Sequence, residues 1–250
     1  MRISLASRTY RGPIEVGAAI ALYAVYELVR GFGGENWAQA RLNTNAIVAL
    51  EQHLGVYWEH TIQTASLAVP GFGSLLGFLY LSLHLVGTAV FLVWVYRKRR
   101  PSFALVRTTI VLSTALALVG YIAFPAAPPR LADLGFSDAV SAHTGLNLSS
   151  DMLGALYNPI AAVPSLHFGY ALIVGAGLYA LARNRWVRIM GISYPLVMLY
   201  VIVATGNHFL FDAAAGGVVV IVAWLAARKV VGRGTAMTTP RRPAVLARSS

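Results

Sequence analysis

Residues 206–229, GNHFLFDAAAGGVVVIVAWLAARK, decide the fold of this chain. A polar head containing Asn207, His208 and Asp212 is followed by an apolar run, which ends on Arg228 and Lys229. A helix of about 20 mostly apolar residues is long enough to cross a bilayer. The stretch therefore predicts a transmembrane helix with a polar cluster at one membrane face and basic residues at the other.

Five similar apolar runs precede this one. The six predicted spans are residues 13–32, 74–96, 104–125, 164–182, 189–205 and 209–227. The chain of 250 residues is 57% hydrophobic and only 12% charged, which is about half the charged fraction of a soluble domain. It has no cysteine, which excludes a disulfide framework and a thiolate site. We predict an all-α integral membrane protein with six transmembrane helices, and we interpret 13–32 as a retained span.

The distribution of basic residues predicts the orientation in the membrane. With the N-terminus inside, 17 of the 20 Lys and Arg residues fall on the inner side, leaving Arg30, Arg41 and Arg130 outside. The positive-inside rule then places both termini in the cytoplasm. The net charge of +11 is therefore a topology signal, and we predict no nucleic-acid partner.

The chain divides into a six-helix membrane domain, 1–229, and a basic cytoplasmic tail, 230–250, that we predict to be disordered. The domain includes an outer amphipathic segment, 33–73, and an outer loop, 126–163. Residues 36–54 have apolar side chains at helical spacing and predict an interfacial helix on the outer surface. We interpret the polar residues of this segment as a solvated face, with binding of a polar acceptor as the alternative; they are Asn43, Asn45, Glu51 and Glu59.

Two polar clusters carry the candidate chemistry, and the predicted topology places both at the outer face. Residues 162–167 begin span four, where Pro164 suits the first helical position, and residues 206–212 begin span six, where Asn207 can cap the helix. Helix N-termini bind anions, and phosphate is the natural candidate. Because His208 and Asp212 are four residues apart, the carboxylate can accept one imidazole N–H and leave the other nitrogen free to attack.

His167 supplies a second imidazole, which suits the proton donor of a phosphoryl transfer. Several alternatives stay open. Two histidines and an aspartate could ligate zinc, or these residues could be ordinary polar groups at helix ends. A serine hydrolase using Ser165 is disfavoured because no G-x-S-x-G turn is present. His84, in span two, could hydrogen-bond between helices or line a polar path. For the whole chain, the alternative is a non-enzymatic transporter or channel.

Three motifs carry a resemblance to a known family. They are FPAAPPR at 124–130, AVPSLH at 162–167 and HFLFD at 208–212. Together they resemble the type 2 phosphatidic acid phosphatase superfamily, and most closely its branch containing fungal inositol phosphorylceramide synthase. The resemblance covers residues 74–227. It implies a phosphohistidine on His208, Asp212 as its partner and His167 as the acid that protonates the leaving group.

The sequence departs from the hydrolases of that family, because their K-x6-R-P motif is absent from the outer face and Val201 and Ile202 replace the Ser-Arg pair before the nucleophile. We expect Arg130 and Ser165 to contact the phosphate, although an interfacial anchor is the alternative for Arg130. Tyr157, Asn158 and Asn207 are expected to shape the site.

The predicted protein is thus a multi-pass cell-membrane enzyme, a lipid phosphatase or phospho-headgroup transferase, with its active site on the extracytoplasmic side. The resemblance implies a lipid phosphate or phospholipid as substrate, and water or an alcohol as acceptor. It implies no metal and no other cofactor.

Overall fold

The computed structural model describes residues 36–144 and 158–238, together with Gly17. Within these ranges the regular structure is helical, and the chain pairs in β fashion only at an isolated bridge between Ala126 and Ala161. The α-helices are α1 (Trp37–His53), α2 (Glu59–Leu67), α3 (Phe72–Ser82), α4 (Thr88–Lys98), α5 (Arg100–Ala123), α6 (Ala139–Thr144), α7 (Leu166–Leu181), α8 (Arg185–Ala204) and α9 (Leu210–Thr238).

A π-helical turn, Leu83–Gly87, joins α3 to α4 without interrupting the rod, and a 3-10 turn, Pro129–Leu131, follows α5. The continuous stretch Phe72–Lys98 is therefore a single span of 27 residues. π-helical turns are rare inside α-helices, and they occur often at functional sites.

Four helical stretches are long and apolar enough to cross a membrane, and they mark this as a membrane protein. They are Phe72–Lys98, Arg100–Ala123, Arg185–Ala204 and Leu210–Val231. The apolar helix α7 has 16 residues and is about 24 Å long, so it is shorter than the other four. These five helices coincide with predicted spans two to six. Span 13–32 lies outside the described residues apart from Gly17, so six spans and the orientation of the termini stay predictions.

Helix α7 lies at the centre of the bundle and packs against α5, α8 and α9. It meets α8 where Gly175 faces Gly191, and a Cβ atom on Gly175 would lie only 2.4 Å from the carbonyl oxygen of Gly191. Small residues at such contacts allow membrane helices to approach closely. Large apolar side chains cover the outside of the spans, among them Val90, Val119, Leu196 and Ile221.

The predicted outer helix forms as α1, with Asn36 as its N-cap. Its apolar stripe faces outward: Leu42 is 64% exposed and Leu54 is 62% exposed. The opposite face is buried against the protein, and it includes Thr44 and Glu51. This inverted arrangement suits a helix whose apolar side faces lipid and whose polar side faces the protein.

The C-terminal helix α9 continues to Thr238. Its last turns therefore occupy the beginning of the segment, 230–250, for which the sequence predicts disorder. The remainder of that segment, 239–250, lies outside the described residues.

Candidate active site

His208 and Asp212 form a hydrogen-bonded pair at the start of α9. The distance from Nδ1 of His208 to Oδ2 of Asp212 is 3.1 Å, and both side chains are buried. The same Oδ2 accepts the backbone N–H of Phe209 at 2.9 Å. The contact expected from the four-residue spacing is therefore present, and it leaves Nε2 of His208 available for another partner.

The second imidazole, His167, lies beside His208. Their ring centroids are 5.5 Å apart, although the residues belong to the first turn of α7 and to the turn before α9. A backbone hydrogen bond of 2.9 Å from Ser165 N–H to the Asp212 carbonyl ties the two helix starts together. Gly216 permits this approach, because a Cβ atom there would lie 2.3 Å from the carbonyl oxygen of Ser165.

The N-cap of α7 is Ser165, so the expectation that Pro164 occupies the first helical position is wrong. The Ser165 hydroxyl accepts the N–H of Phe168 at 3.4 Å, and the first helical residue is Leu166. A serine hydroxyl is a preferred N-cap acceptor, which is why the helix starts here and not at the proline. The positive end of the α7 dipole points to the His167–His208 pair.

The start of α9 differs from the expectation of a second anion site. Its first N–H groups are already occupied by carboxylates: Leu210 N–H donates to Oε1 of Glu59 at 2.9 Å, and Phe211 N–H donates to Oε1 of Glu51 at 2.7 Å. Asn207 is not the cap of this helix. Its side chain accepts from Arg130 and donates to Thr205. Acidic side chains of the protein itself occupy this helix end.

Glu51 and Glu59 are the main site residues that the sequence interpretation missed. The interpretation of both as a solvated face is wrong, because Glu51 is 2% exposed and Glu59 is fully buried. The signal was present in α1, where Glu51 shares a helical face with Thr44 and Ile47 and not with the apolar stripe. Asn43 also turns inward and donates to the carbonyl of Pro125 at 2.8 Å, whereas Asn45 is exposed.

The surroundings of Glu51 favour the protonated form of its carboxyl group. Burial raises the pKa of Glu51 from 4.5 to about 8, and its hydrogen bond with Glu59 and the charges of Glu59 and Asp212 act in the same direction. The N–H of Phe211 opposes these effects. Burial and the two glutamate charges also raise the pKa of Tyr57. At neutral pH, Glu51 is therefore mainly the neutral acid.

Arg130 is linked to the His208 turn through Asn207, the residue that precedes His208. Its side chain is fully buried, its Nε donates to Oδ1 of Asn207 at 2.9 Å, and its Nη1 makes a 3.0 Å ion pair with Asp138. Its backbone N–H also donates to the carbonyl of Gly206 at 2.9 Å. The guanidinium thus supports the turn that carries His208, and Asp138 is a partner that sequence reasoning did not identify.

Gly206 closes α8 with a φ of +69°, a left-handed conformation that favours glycine. A Cβ atom there would lie 2.6 Å from Nε2 of Gln63, a residue of the outer segment. Of the residues expected to shape the site, Asn158 accepts the N–H of Ile160 at 3.1 Å and so supports the segment before Ser165. Tyr157 lies outside the described residues.

Two residues of the second span also reach the site. The rings of Tyr80 and His84 lie 4.4 Å and 4.1 Å from the ring of His167, measured between centroids. The sequence left the role of His84 open, and Tyr80 carried no motif. Neither residue could be assigned to His167 from sequence, because the contact joins separate helices.

Among the residues that the structure describes, no three His, Cys, Asp or Glu side chains come together as a group that could hold a metal ion. The site is instead built from two imidazoles, one aspartate, the start of α7 and a buried arginine. These parts can supply a nucleophile, a proton donor and positive charge to a bound anion.

Comparison with known proteins identifies a family for this chain. A family model described as the PAP2 superfamily matches residues 45–226, well over half of the chain, and spans both histidines, Asp212 and Arg130. It also includes Glu51 and Glu59 of the outer segment. No curated protein and no solved structure matches the chain. On the strength of the family match, the chain is a member of the PAP2 superfamily.

Proposed function

We propose that this protein is a lipid-phosphate phosphatase or phosphotransferase that works through a phosphohistidine on His208, at the outer face of the cell membrane. Members of the PAP2 superfamily are phosphatases and phosphotransferases. One observation carries the mechanism: the Nδ1 atom of His208 is 3.1 Å from Asp212, while the ring of His167 lies 5.5 Å away between centroids. The branch that resembles inositol phosphorylceramide synthase is part of the proposal.

In the first half-reaction, Nε2 of His208 attacks phosphorus as the bond from phosphorus to the lipid oxygen breaks. Asp212 accepts the Nδ1–H hydrogen bond, which fixes the tautomer and stabilises the charge that develops on the ring. His167 gives its proton to the departing lipid oxygen. The products are the lipid alcohol and a phosphohistidine.

In the second half-reaction, the oxygen of water or of an alcohol attacks the phosphohistidine. Its proton passes to the now neutral His167, and the bond from phosphorus to Nε2 breaks. Both histidines return to their starting state. Water releases phosphate, whereas an alcohol takes the phosphoryl group or the phospho-headgroup, and the chemistry at His208 is the same in both cases.

The phosphate oxygens need positive charge or N–H donors during these steps. The start of α7 supplies a helix N-terminus beside His167, and Ser165 there is the proposed phosphate contact. Arg130 contributes from behind Asn207, where its charge favours an anion at the His208 turn. With the α7 N-terminus, Ser165 and Arg130 acting on the phosphate, the proposed reaction requires no metal ion.

The decisive experiment measures turnover of purified protein in detergent micelles. Phosphatidic acid and polyprenyl phosphates are offered with water alone and then with added inositol or sugar as acceptor. We expect His208→Ala to lower kcat by more than about a thousand-fold, as loss of a nucleophile does elsewhere. Acid-quenched wild-type protein should carry an acid-labile phosphoryl group that this variant lacks.

His60→Ala is the matched control, because His60 is an exposed histidine of the outer segment whose ring packs on Phe136. It should retain wild-type turnover, and EDTA should leave turnover unchanged. Full turnover of the His208→Ala variant would overturn the mechanism. Solute flux in proteoliposomes that is insensitive to this substitution would favour a transporter.

A further inference from the structure

His84 lies against the proposed proton donor. Its ring centroid is 4.1 Å from that of His167 and 5.2 Å from that of Tyr170, one turn further along α7. Fourteen residues of helix, about 21 Å, separate His84 from Lys98 and His167 from Leu181. The inner ends are tied by a 2.7 Å hydrogen bond from Nε of Arg99 to the carbonyl of Leu181. The two histidines therefore lie at the same depth.

A local irregularity sets the direction of His84. It belongs to the π-turn Leu83–Gly87, which inserts one extra residue into the second span. The carbonyl of Leu83 accepts the hydroxyl of Tyr194 from α8 at 2.5 Å. Gly87 leaves room for that tyrosine, because a Cβ atom on Gly87 would lie 2.2 Å from its hydroxyl oxygen. A neighbouring helix thus holds the turn in place.

The nitrogen atoms of His84 are poorly suited to a purely structural role. Nδ1 is buried and has no hydrogen-bond partner among the described residues. An unsatisfied polar atom destabilises a buried site, so an apolar ring would pack here at lower cost. An enclosed acceptor is easier to accommodate than an enclosed donor, which favours the tautomer with its proton on Nε2. The residue is only partly buried, and Nε2 makes no hydrogen bond among the described residues, so this second nitrogen is left to meet a ligand.

We propose that His84 is a third histidine of the active site, which donates a hydrogen bond from Nε2 to the lipid ester oxygen next to His167. The inference rests on the proposed function, in which His167 protonates that same oxygen. His84 remains neutral throughout. It stabilises the oxygen as the bond to phosphorus lengthens, and His167 supplies the proton that leaves with the lipid alcohol.

Two substitutions separate this role from packing. His84→Phe keeps a flat ring against His167 and Tyr170 but removes the donor, whereas His84→Gln keeps an N–H donor without the ring. We expect His84→Phe to lower kcat/KM for an alkyl phosphate ester such as phosphatidic acid by about 10- to 100-fold. His84→Gln should recover part of the loss. If His84 only packs, the order is reversed, and Phe is the better replacement.

The identity of the leaving group gives a second readout. Nitrophenolate leaves a long-chain nitrophenyl phosphate without needing a proton, so its release in the first turnover by His84→Phe and by His167→Ala should approach that of wild type. This burst reports the first half-reaction alone, before His167 accepts the proton of water. The same measurement shows that the variants are folded. Because both residues act on one oxygen, His84→Phe should cost much less in a His167→Ala background than in wild type. His60→Phe, a ring substitution outside the site, should leave the activity on both substrates unchanged.

The outcomes separate the two proposals. Wild-type protein without turnover on any lipid phosphate, or His208→Ala with full turnover, would overturn the proposed function itself. Normal turnover by wild type with equal losses for His84→Phe on both substrates, or with losses that add to those of His167→Ala, would overturn the role of His84 alone.

Discussion

The starts of α7 and α9 lie side by side at the candidate site, and the sequence predicts an anion-binding helix N-terminus at both, but they are built differently. Ser165 caps α7 with its own hydroxyl. The N–H groups at the start of α9 instead donate to three acidic side chains, namely Asp212, Glu59 and Glu51. One helix end is thus available to an anion, and the other is occupied by acidic side chains of the protein.

This difference assigns separate tasks to the two helix ends. A bound phosphate is attracted by the α7 end and repelled by the carboxylates of the α9 end, which favours placing the phosphoryl oxygens towards Ser165 and His167. At the α9 end, the Asp212 carboxylate accepts a hydrogen bond from His208. It stabilises positive charge on the ring when Nε2 has formed a bond to phosphorus.

The largest effect on the reaction rate is expected from replacing the Asp212 carboxylate at the start of α9. In Asp212→Asn, the amide N–H₂ can donate to Nδ1 of His208, which places the imidazole proton on Nε2 and removes the attacking lone pair. We expect phosphohistidine formation to slow by about 10⁴-fold, as in a triad whose aspartate becomes asparagine. Single-turnover rapid quench measures this step.

Asp133→Asn is the control for this substitution, because Asp133 is an exposed outer carboxylate that pairs with Arg41. Surface pairs of this kind contribute little, so its turnover should equal that of wild type. An Asp212→Asn protein that forms phosphohistidine at more than a tenth of the wild-type rate would contradict the assigned tautomer.

Local spacing explains which parts of the site were predictable. The four-residue spacing of His208 and Asp212 predicts their contact from sequence alone. The bonds from Glu51 and Glu59 to α9 cross 160 and 151 residues, and a helical pattern in α1 gives a buried face but not its partner. The π-turn at His84 changes the helical phase, which a regular periodicity cannot reveal.

The same reasoning applies to the fold. Five predicted spans coincide with apolar helices, because length and hydropathy specify a membrane helix. The predicted position of Pro164 is wrong because a serine hydroxyl one residue later caps the helix. The interpretation of Glu51 and Glu59 as part of a solvated face is wrong because N–H donors at the start of α9 stabilise both side chains in a buried position.

A smaller, pH-dependent effect is expected at Glu51. Its pKa is raised from 4.5 to about 8, so the folded protein retains a proton there that the unfolded chain releases. The stabilisation is complete below pH 4.5 and is lost as pH rises towards 8. Above pH 8, ionised Glu51 repels Glu59 and Asp212 at the start of α9, and turnover should fall.

Glu51→Gln tests this prediction, because Gln keeps an acceptor for Phe211 N–H and its amide replaces the neutral acid beside Glu59. We expect near wild-type turnover at pH 7, a weaker decline above pH 8, and a Tm in detergent that changes less between pH 5 and 8. Asp133→Asn should follow the wild-type curve. Parallel pH dependences of wild type and Glu51→Gln would show that Glu51 does not hold the proton.

The smallest effect is expected at the start of α7. Ser165→Ala removes a cap whose hydrogen bond is 3.4 Å long, and such a loss costs about 1 kcal/mol. Because the N–H groups of the helix remain, we expect KM for a lipid phosphate to rise about three- to ten-fold with kcat nearly unchanged. Ser165→Gly, which preserves capping to within a few tenths of a kcal/mol, should retain the stability and show the same rise in KM. A loss of kcat as large as that of His208→Ala would instead make Ser165 the nucleophile, and the α7 end would then be the reacting centre and not the anion site.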